Sequence, residues 1–411
     1  MNTERNIRVA VIGGGASGMM AALAAAEQGA DVTLLERQAR LGRKLAATGN
    51  GRCNLTNRNT APEHYHGENA AFCIPALRRE SAETSLERFH DMGLLTVEEA
   101  DGRMYPLSDH AGSVVDVLRF SLDAAGVSVR CGCTVERLEK TKSGFLLHIQ
   151  EERLPADRVI VACGGRAGGK LGGVSDGYRL LESCGHHCTK LHPALVQLKT
   201  EGNLTRGVKG VRTQALVRVL RKGKTVAEEQ GEVQFTEYGL SGPAIFSVSR
   251  EAVRDGESTV TLDMFPDLSA DELYALLRHR AETRPGLTME DLFTGMLQNR
   301  LGRVLVSSAG VSGTLPLRQA GGVLRKLANQ AKRFSFQVIG DLGFDQAQVT
   351  AGGIRTDEFD ADTLESRLCP GLYACGEVLD IDGDCGGYNL QWAWSSGWVA
   401  GTAAGRGAGI C

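Results

Sequence analysis

Along the first third of the chain, apolar and polar positions alternate in blocks that a β-α-β arrangement requires. Ile7 to Ile12 is a short apolar run of the length of a buried strand, a glycine-rich turn follows, and alanine-rich sequence with helical character continues to Ala26. A second apolar strand runs from Asp31 to Leu35. Beyond it, Ala70 to Arg79 reads as a helix with Asn69 as its N-cap and a kink at Pro75. Ala82 to Met92 reads as a helix stopped by Gly93, and Ser113 to Ala124 as one ended by Gly126. Val127 to Cys131 is a strand pattern, Val135 to Lys140 with Phe145 to Gln150 is a hairpin around Lys142, Ser143 and Gly144, and Arg158 to Ala162 is a buried strand running into Gly164 and Gly165.

The pattern changes from Cys188 to Asp341. Ala215 to Leu220, Glu232 to Thr236 and Ser258 to Asp263 are short β-like runs with no helix between them, which predicts an inserted antiparallel sheet or barrel. Ser269 to Ala281, Thr288 to Leu297 and Leu317 to Lys332 read as helices, with Ser269 and Asp271 at the first N-terminus. Gln348 to Cys411 resumes the α/β signature, with a strand at Leu372 to Ala374 and a helix from about Leu390. The fold class is α/β, a Rossmann domain split by an insertion.

Composition narrows the class. At 411 residues and 42% hydrophobic content the chain fills the cores of two or three domains. The eleven cysteines are scattered and odd in number, and the polar start from Met1 to Asn6 carries no secretory leader, so they read as reduced thiols of a cytoplasmic protein. Val9 to Ala26 has the length of a membrane span, but its glycines and Ser17 divide it into strand, turn and helix, and no membrane association is expected. Net charge is −3, which makes no electrostatic case for nucleic acid over the whole molecule. One stretch is basic: Lys199, Arg206, Lys209, Arg212, Arg218, Arg221, Lys222 and Lys224, with Glu201 among them. A solvated β-rich surface is the first reading of it and an RNA-facing patch the lesser one.

The turn after the first strand carries the chemistry. Gly13, Gly15 and Gly18 supply G-x-G-x-x-G: one glycine for the tight turn, one for backbone approach to a pyrophosphate, one for helix-strand packing. Ala16 and Ser17 open the helix whose N-terminus would receive the diphosphate. Glu36, followed by Arg37, closes the second strand near the spacing at which a carboxylate takes ribose hydroxyls. Gly42 to Asn57, GRKLAATGNGRCNLTN, is dense in glycine, amide and hydroxyl groups that can wrap a polar cofactor, while Arg43, Lys44 and Arg52 offset phosphate charge. With GLYACGE at Gly371 to Glu377 these segments describe one FAD site.

Four segments carry a family resemblance: GRKLAATGNGRCNLTN, GRMYPLSDHAGSVVD at Gly102 to Asp116, FTEYGLSGPAIFSVS at Phe235 to Ser249, and VTAGGI followed by GEVLDIDGDCGGYNLQWAWSSG at Gly376 to Gly397. In that order, over nearly the whole chain, they resemble the bacterial YhiN-like and BaiN-like flavoproteins, some relatives of which bear the name aminoacetone oxidase. The resemblance implies a split FAD-binding Rossmann domain of glutathione-reductase type over 1–187 and 346–411. It also implies a β-barrel-like insert on the substrate side over 188–267 and 334–345, and a helical subdomain over 268–333. Carried over, Arg43 and Lys44 lie beside the diphosphate, Thr48, Gly49, Asn50, Gly51, Arg52, Cys53 and Asn54 run along the flavin, and Val135 lies beside the adenine. Gly164, Gly376 and Glu377 meet the cofactor, and Gly387, Tyr388, Asn389, Leu390 and Gln391 form the turn into the last helix, facing the flavin. Glu237 and His110 depart from the histidine and lysine common at their positions, which bears on the substrate.

Other features carry less. Cys53 and Cys385 flank the expected flavin environment, and packing is preferred over redox activity for both. The cluster Cys184, His186, His187, Cys188 and His192 lacks a second ligand pair, so no metal is expected. Gly164 to Lys170 nearly spells a P-loop, but Leu171 replaces its Ser or Thr. Candidate proton donors are Tyr388, Glu237, Tyr238 and His110, with Tyr105 a further tyrosine. The leading expectation is an NAD(P)H-linked FAD enzyme reducing an activated, enone-type C=C bond of a small molecule, the nicotinamide docking transiently because no second G-x-G-x-x-G is visible. An amine oxidase of aminoacetone type that releases peroxide, and a reductase of uracil rings in RNA, are the alternatives.

Overall fold

A computed structural model describes residues 6–254 and 256–406, so most of the polar start, 1–5, and the chain end, 407–411, lie outside the described residues. The chain divides into two compact units, residues 1–192 with 348–411, and residues 193–347.

The first unit is built on a five-stranded parallel sheet. The first strand, β1 (Arg8–Ile12), pairs on one side with Arg158–Val161 and on the other with β2 (Asp31–Glu36); Leu372–Ala374 and Ser128–Cys131 complete the two edges. Both faces of β1 are covered from Val9 to Ile12, which is why its sequence is an unbroken apolar run. The helix α1 (Ala16–Glu27) follows the glycine turn and is buried from Ser17 to Ala25. Small side chains serve a purpose there. The last helix, Tyr388–Gly405, places Gly397, Gly401 and Gly405 in a row four residues apart, on one helix face. A Cβ on these glycines would stand 2.4 Å from the Ser17 carbonyl oxygen, 2.2 Å from that of Ala21 and 2.6 Å from that of Ala25. Backbone rests on backbone, and the first and last helices are locked into one layer.

Local signals explain most boundaries and most departures. The hairpin forms at Arg137–Thr141 and Gly144–Ile149, and a third strand, Glu152–Ala156, extends it. The expected helix over Ala70 to Arg79 is a 3-10 turn, Ala70–Cys73, followed by an α-helix, Ile74–Arg79. Pro75 lies in the first turn of that helix, where its missing N–H costs nothing, and Asn69 makes no side-chain capping bond.

The second unit is a closed antiparallel barrel of six strands in the order Leu198–Thr200, Gly239–Ser241, Lys224–Phe235, Arg212–Arg221, Ser258–Asp263 and Phe334–Asp341. Val217, Val219, Val233, Phe235, Val260, Leu262 and Phe336 are buried in its core, and closure leaves no open edge. Helices lie between the strands in sequence. Ser269 caps Ala270–Thr283 in a reciprocal box with Glu272. The helix expected over Thr288 to Leu297 is instead a single 3-10 turn, Met289–Asp291, and the true helix is Asn299–Ser308, whose Gln298 side chain accepts from the N–H groups of Arg300 and Leu301. Leu317 to Lys332 is interrupted at Gly321 and Gly322, leaving the helix Val323–Lys332. The helix Pro243–Val253 has no counterpart among the sequence expectations. Gly242 and Pro243 are its start signal, and the apolar AIF run after them has no helical period to show. No described helix is long and apolar enough to cross a membrane.

Gly401→Ala tests the helix contact. It is expected to destabilise the fold by about 1–3 kcal/mol in denaturant titration, whereas Gly322→Ala, whose Cβ meets nothing within 4 Å, should leave the midpoint unchanged.

Candidate active site

The glycines of the first turn divide into two physical kinds. Gly13 has φ +110° and a Cβ there would fall 2.4 Å from the Ala162 carbonyl oxygen; a Cβ on Gly18 would fall 1.8 Å from the carbonyl oxygen of Gly13. Those two let strand and helix meet. Gly15 differs, because a Cβ on it would meet nothing within 4 Å. It is the N-cap of α1, makes no side-chain capping bond, and no acidic residue lies in the first turn. The leading N–H groups and the positive end of α1 therefore open onto free space that suits an anionic diphosphate.

Around this turn the charged side chains are already fixed. Glu36 Oε2 accepts from Gly14 N–H at 2.7 Å and Oε1 from Gln38 N–H at 2.6 Å, which ties the end of β2 to the turn. Arg37 donates to the Gly172 carbonyl at 3.5 Å, and Arg43 to Gln38 Oε1 at 2.6 Å and the Lys170 carbonyl at 3.0 Å. Lys44 Nζ pairs with Glu377 at 2.7 Å, and the other oxygen of Glu377 accepts from Thr350 N–H, also at 2.7 Å. Positions 44 and 377 thus meet across the whole length of the chain. Ser17 turns toward the C-terminal segment, where a Cβ on Gly376 would stand 2.4 Å from its Oγ.

The segment Thr48 to Asn54 is shaped by backbone. Gly49, Asn50, Gly51 and Cys53 all have φ between +56° and +88°, and Thr48 Oγ1 donates to the Leu45 carbonyl at 2.7 Å. Arg52 is held by Glu99 and Asp109 and lies over the Tyr105 ring, 4.3 Å from its centre. Its charge is thus matched by two carboxylates. Asn54 Oδ1 is buried and has no hydrogen-bond partner, an acceptor waiting for a donor. Val135 is buried, and a Cβ on Gly164 would meet open space.

The C-terminal contribution centres on the start of the last helix. Gly376 N–H donates to Ser396 Oγ at 2.9 Å. Gly387 is the N-cap of the helix at φ +102° and carries no side-chain capping bond. Tyr388 is buried, Asn389 binds both the N–H and the carbonyl of Gly383, and Leu390 is half-buried. Gln391 is fully buried, with its amide accepting from Thr56 and donating to Glu80, Ser85 and Ser395, so it braces the helix from inside the protein.

A family profile described as HI0933-like protein Rossmann domain matches residues 7–403. The chain belongs to this family. Membership makes it an FAD-dependent oxidoreductase. It is 40% identical over 404 residues to a 3-dehydro-bile acid delta(4,6)-reductase of Clostridium scindens, covering 97% of this chain and 98% of that protein. It is 30% identical to a ribosomal RNA dihydrouridine synthase of Escherichia coli, covering 95% and 96%. Among solved structures, a 3-ketosteroid-delta4-(5alpha)-dehydrogenase from Rhodococcus jostii RHA1 aligns with a TM-score of 0.50 at 16% identity over 99% of both chains, a likeness of fold.

Within this family member, the remaining sequence candidates are spread apart. His110 is exposed at the start of the helix Ala111–Ala124. Glu237 and Tyr238 belong to the second unit. Glu237 is exposed, and its hydrogen bond from Lys209 at 2.5 Å holds its carboxyl below the usual range, so it is ionised at neutral pH and a poor proton donor. Part of the basic stretch is paired: Arg218 opposes Glu228 across the strands at 2.5 Å, Arg212 meets Glu232 at 3.3 Å, and Arg221 meets Glu251 at 3.9 Å. His186 and His187 both bind Glu358, and His186 also binds Ser366. Among the described residues no group of three or more His, Cys, Asp and Glu is arranged to hold a metal ion.

Sequence reasoning missed a cluster beside Tyr388. Asp384 binds His64 Nδ1 at 3.0 Å and His66 Nε2 at 2.7 Å, and the His64 ring stacks on Tyr388 with centres 4.3 Å apart. Only the alternation in His64-Tyr65-His66 hinted at a strand edge; nothing in the sequence joins it to a residue 320 positions away.

Cys53 is fully buried, and burial pushes its thiol up to about 12 despite a hydrogen bond with Thr48. It should stay unmodified by iodoacetamide at pH 8 in the folded protein and react only in guanidinium, as followed by mass spectrometry of the peptides.

Proposed function

We propose that this enzyme uses bound FAD and an NAD(P)H donor to reduce the activated C=C bond of an enone, in a steroid-like small molecule. The observation that carries the reading is the 40% identity, spanning 97% of this chain, to a relative named as a 3-dehydro-bile acid delta(4,6)-reductase. That name describes reduction of C=C bonds in a bile acid that has a 3-keto group.

Residues of the first unit fit the cofactor. The uncapped N-terminus of α1 at Gly15 would receive the diphosphate, with Ala16 and Ser17 beginning the helix behind it and Glu36 on the ribose. Lys44 and Glu377 neutralise each other, so they would position the cofactor through their pairing and not through net charge. The segment Thr48 to Asn54, with the unpartnered Asn54 Oδ1, and the uncapped helix start at Gly387 would meet the flavin ring. When bound, FAD would accept hydride from the nicotinamide and pass it on to carbon. Of the four candidate proton donors, Tyr388 is the one buried at this helix start, and we assign the protonation to it.

The pairing of Arg212, Arg218 and Lys209 with glutamates lowers the net positive charge of the stretch, which favours the small molecule over RNA. The rRNA dihydrouridine synthase relative supports RNA as the second reading, and a uracil ring also contains a C=C bond conjugated to a carbonyl.

Two experiments test the proposal, one on the substrate and one on the cofactor turn. The first incubates the holoenzyme with NADPH and, in parallel, a 3-keto-Δ4 steroid, a uridine-containing rRNA fragment and aminoacetone, and reads product mass and peroxide. A gain of two mass units on the steroid alone is expected; a gain on RNA alone, or peroxide from aminoacetone, contradicts the assignment. The second compares two glycine variants. Gly15→Ala should fold with unchanged stability and lose FAD affinity by about 10-fold or more, whereas Gly18→Ala should lose stability itself. Unchanged FAD affinity in Gly15→Ala would remove the turn as the diphosphate site.

A further inference from the structure

Two histidines and an aspartate that no sequence pattern joins lie next to the buried tyrosine at the start of the last helix. Asp384 accepts from both imidazoles, His64 through Nδ1 at 3.0 Å and His66 through Nε2 at 2.7 Å. The strand pair that carries them, Tyr65–His66 against Asp382–Gly383, is closed by Asp384 N–H on the His64 carbonyl at 2.9 Å. Asn389 fastens the same turn to the helix, binding the N–H and carbonyl of Gly383 and the carbonyl of Asp384. The cluster therefore moves with the first turn of the helix or not at all.

Its exposure is graded. The side chains of His64, His66 and Asp384 are about one-third open to water, at 31%, 35% and 33%, while Tyr388, on which His64 stacks at 21° between ring planes, is 7% exposed. Tyr65 packs edge-on against Tyr388, and its hydroxyl is buried without a hydrogen-bond partner. The other ionisable neighbours are Cys73, from the 3-10 turn Ala70–Cys73, Asp382, opposite His66 across the strand pair, and Asp380, which accepts from Glu68 N–H. Burial pushes the thiol of Cys73 up to about 12 and raises the hydroxyl of Tyr65 further, so neither gives up a proton at neutral pH. For Asp384, burial works upward, but the bonds from His66 and His64 outweigh it and hold the carboxyl below its usual range. The two hydrogen bonds tie the anionic Asp384 to both imidazoles.

We propose that His64, Asp384 and His66 form a proton relay that loads from water when the site is reduced and restores the proton consumed on the Tyr388 side. The assignment rests on the reductase reading above. Reduction of an enone adds hydride, both electrons included, at the β carbon and a proton at the α carbon. NAD(P)H supplies the hydride. In the relay an imidazolium N–H bond breaks as the proton moves toward the site, an α C–H bond forms there, and water reprotonates the ring through His66. The sum is enone plus NAD(P)H plus H⁺ giving saturated ketone plus NAD(P)⁺. Two added electrons attract positive charge, which is why loading accompanies reduction. His64 also positions Tyr388 by stacking, so these three are positioning residues and not the final donor.

The test uses the FAD-loaded enzyme, Asp384→Asn, His66→Gln and the double variant His64→Gln/His66→Gln. One readout needs no turnover: the protons taken up from weakly buffered solution at pH 7 on anaerobic reduction by dithionite, followed with an indicator dye. Wild type should take up about one proton more per flavin than the double variant, with Asp384→Asn between them. The second is the pH profile of kcat with NADPH and a 3-keto-Δ4 steroid. Wild-type kcat should fall as pH rises; the double variant should be about 100-fold slower with a flat profile, at a KM within about threefold. Flavin reduction by NADPH should be unaffected. Equal proton uptake in variants that retain full FAD, or an unchanged pH profile in them, overturns the relay. His66→Gln, altering one partly exposed member alone, guards against loss of folding in the others. Failure of wild type to reduce any enone would overturn the reductase reading, while the proton count still decides the relay.

Discussion

The contact between the first helix and the last is the constraint on which the rest of the site depends. Gly397, Gly401 and Gly405 set their backbone against the carbonyl oxygens of Ser17, Ala21 and Ala25 at distances that no side chain permits. Because of that approach, the turn after β1 and the segment from Gly376 to Gln391 share one layer although nearly the whole chain separates them. The bond network follows from it: Lys44 on Glu377, Ser17 beside Gly376, and Trp394 Nε1 donating to the Leu55 carbonyl at 2.8 Å. Larger residues in the stripe would separate the halves of the site before they touched any residue of it.

Several of the charged side chains around the candidate site and on the barrel are paired. Arg52 has two carboxylates, Lys44 has one, and the arginines on the barrel strand Arg212–Arg221 face glutamates on the next strand or on the helix after it. The helix N-termini at Gly15 and Gly387 carry no side-chain cap and no acidic residue in their first turn. Helix ends supply fixed dipoles at no reorganisation cost, which suits a diphosphate at one and an electron-rich ring at the other. Two of the basic residues that look like a nucleic-acid patch in sequence, Arg212 and Arg218, meet glutamates across the strand pair in the fold.

Features set by local chemistry were legible in the sequence. The strand, glycine turn, helix, strand and Glu36 follow from apolar period and glycine spacing, and the β-rich insert from short runs without helices. Ser269 and its helix were readable because a capping box is local. What was not legible required either weak local signals or distant partners. The helix Asn299–Ser308 begins with a glutamine cap, a poor signal, while Thr288 offered a better one for a single turn that Gly295, at φ +82°, cuts short. Pro243–Val253 was hidden by an apolar run that fits a strand equally well. Gln391 resembles a cofactor ligand by position, yet its neighbours Thr56, Glu80 and Ser85 come from elsewhere in the chain and engage it fully. The His64, Asp384, His66 cluster is the extreme case, since each half is unremarkable in sequence and only the strand pair brings them together.

In the proposed function, one flavin site accepts electrons from a nicotinamide and returns them to a conjugated C=C bond. The most direct measurement is an anaerobic stopped-flow experiment on the FAD-loaded enzyme, mixing it first with one equivalent of NADPH and then with a 3-keto-Δ4,6 steroid. The account predicts that the oxidised flavin absorbance bleaches in the first mixing and returns in the second, with one steroid reduced per flavin. Bleaching that is reversed only by oxygen, or no bleaching at all, would contradict it.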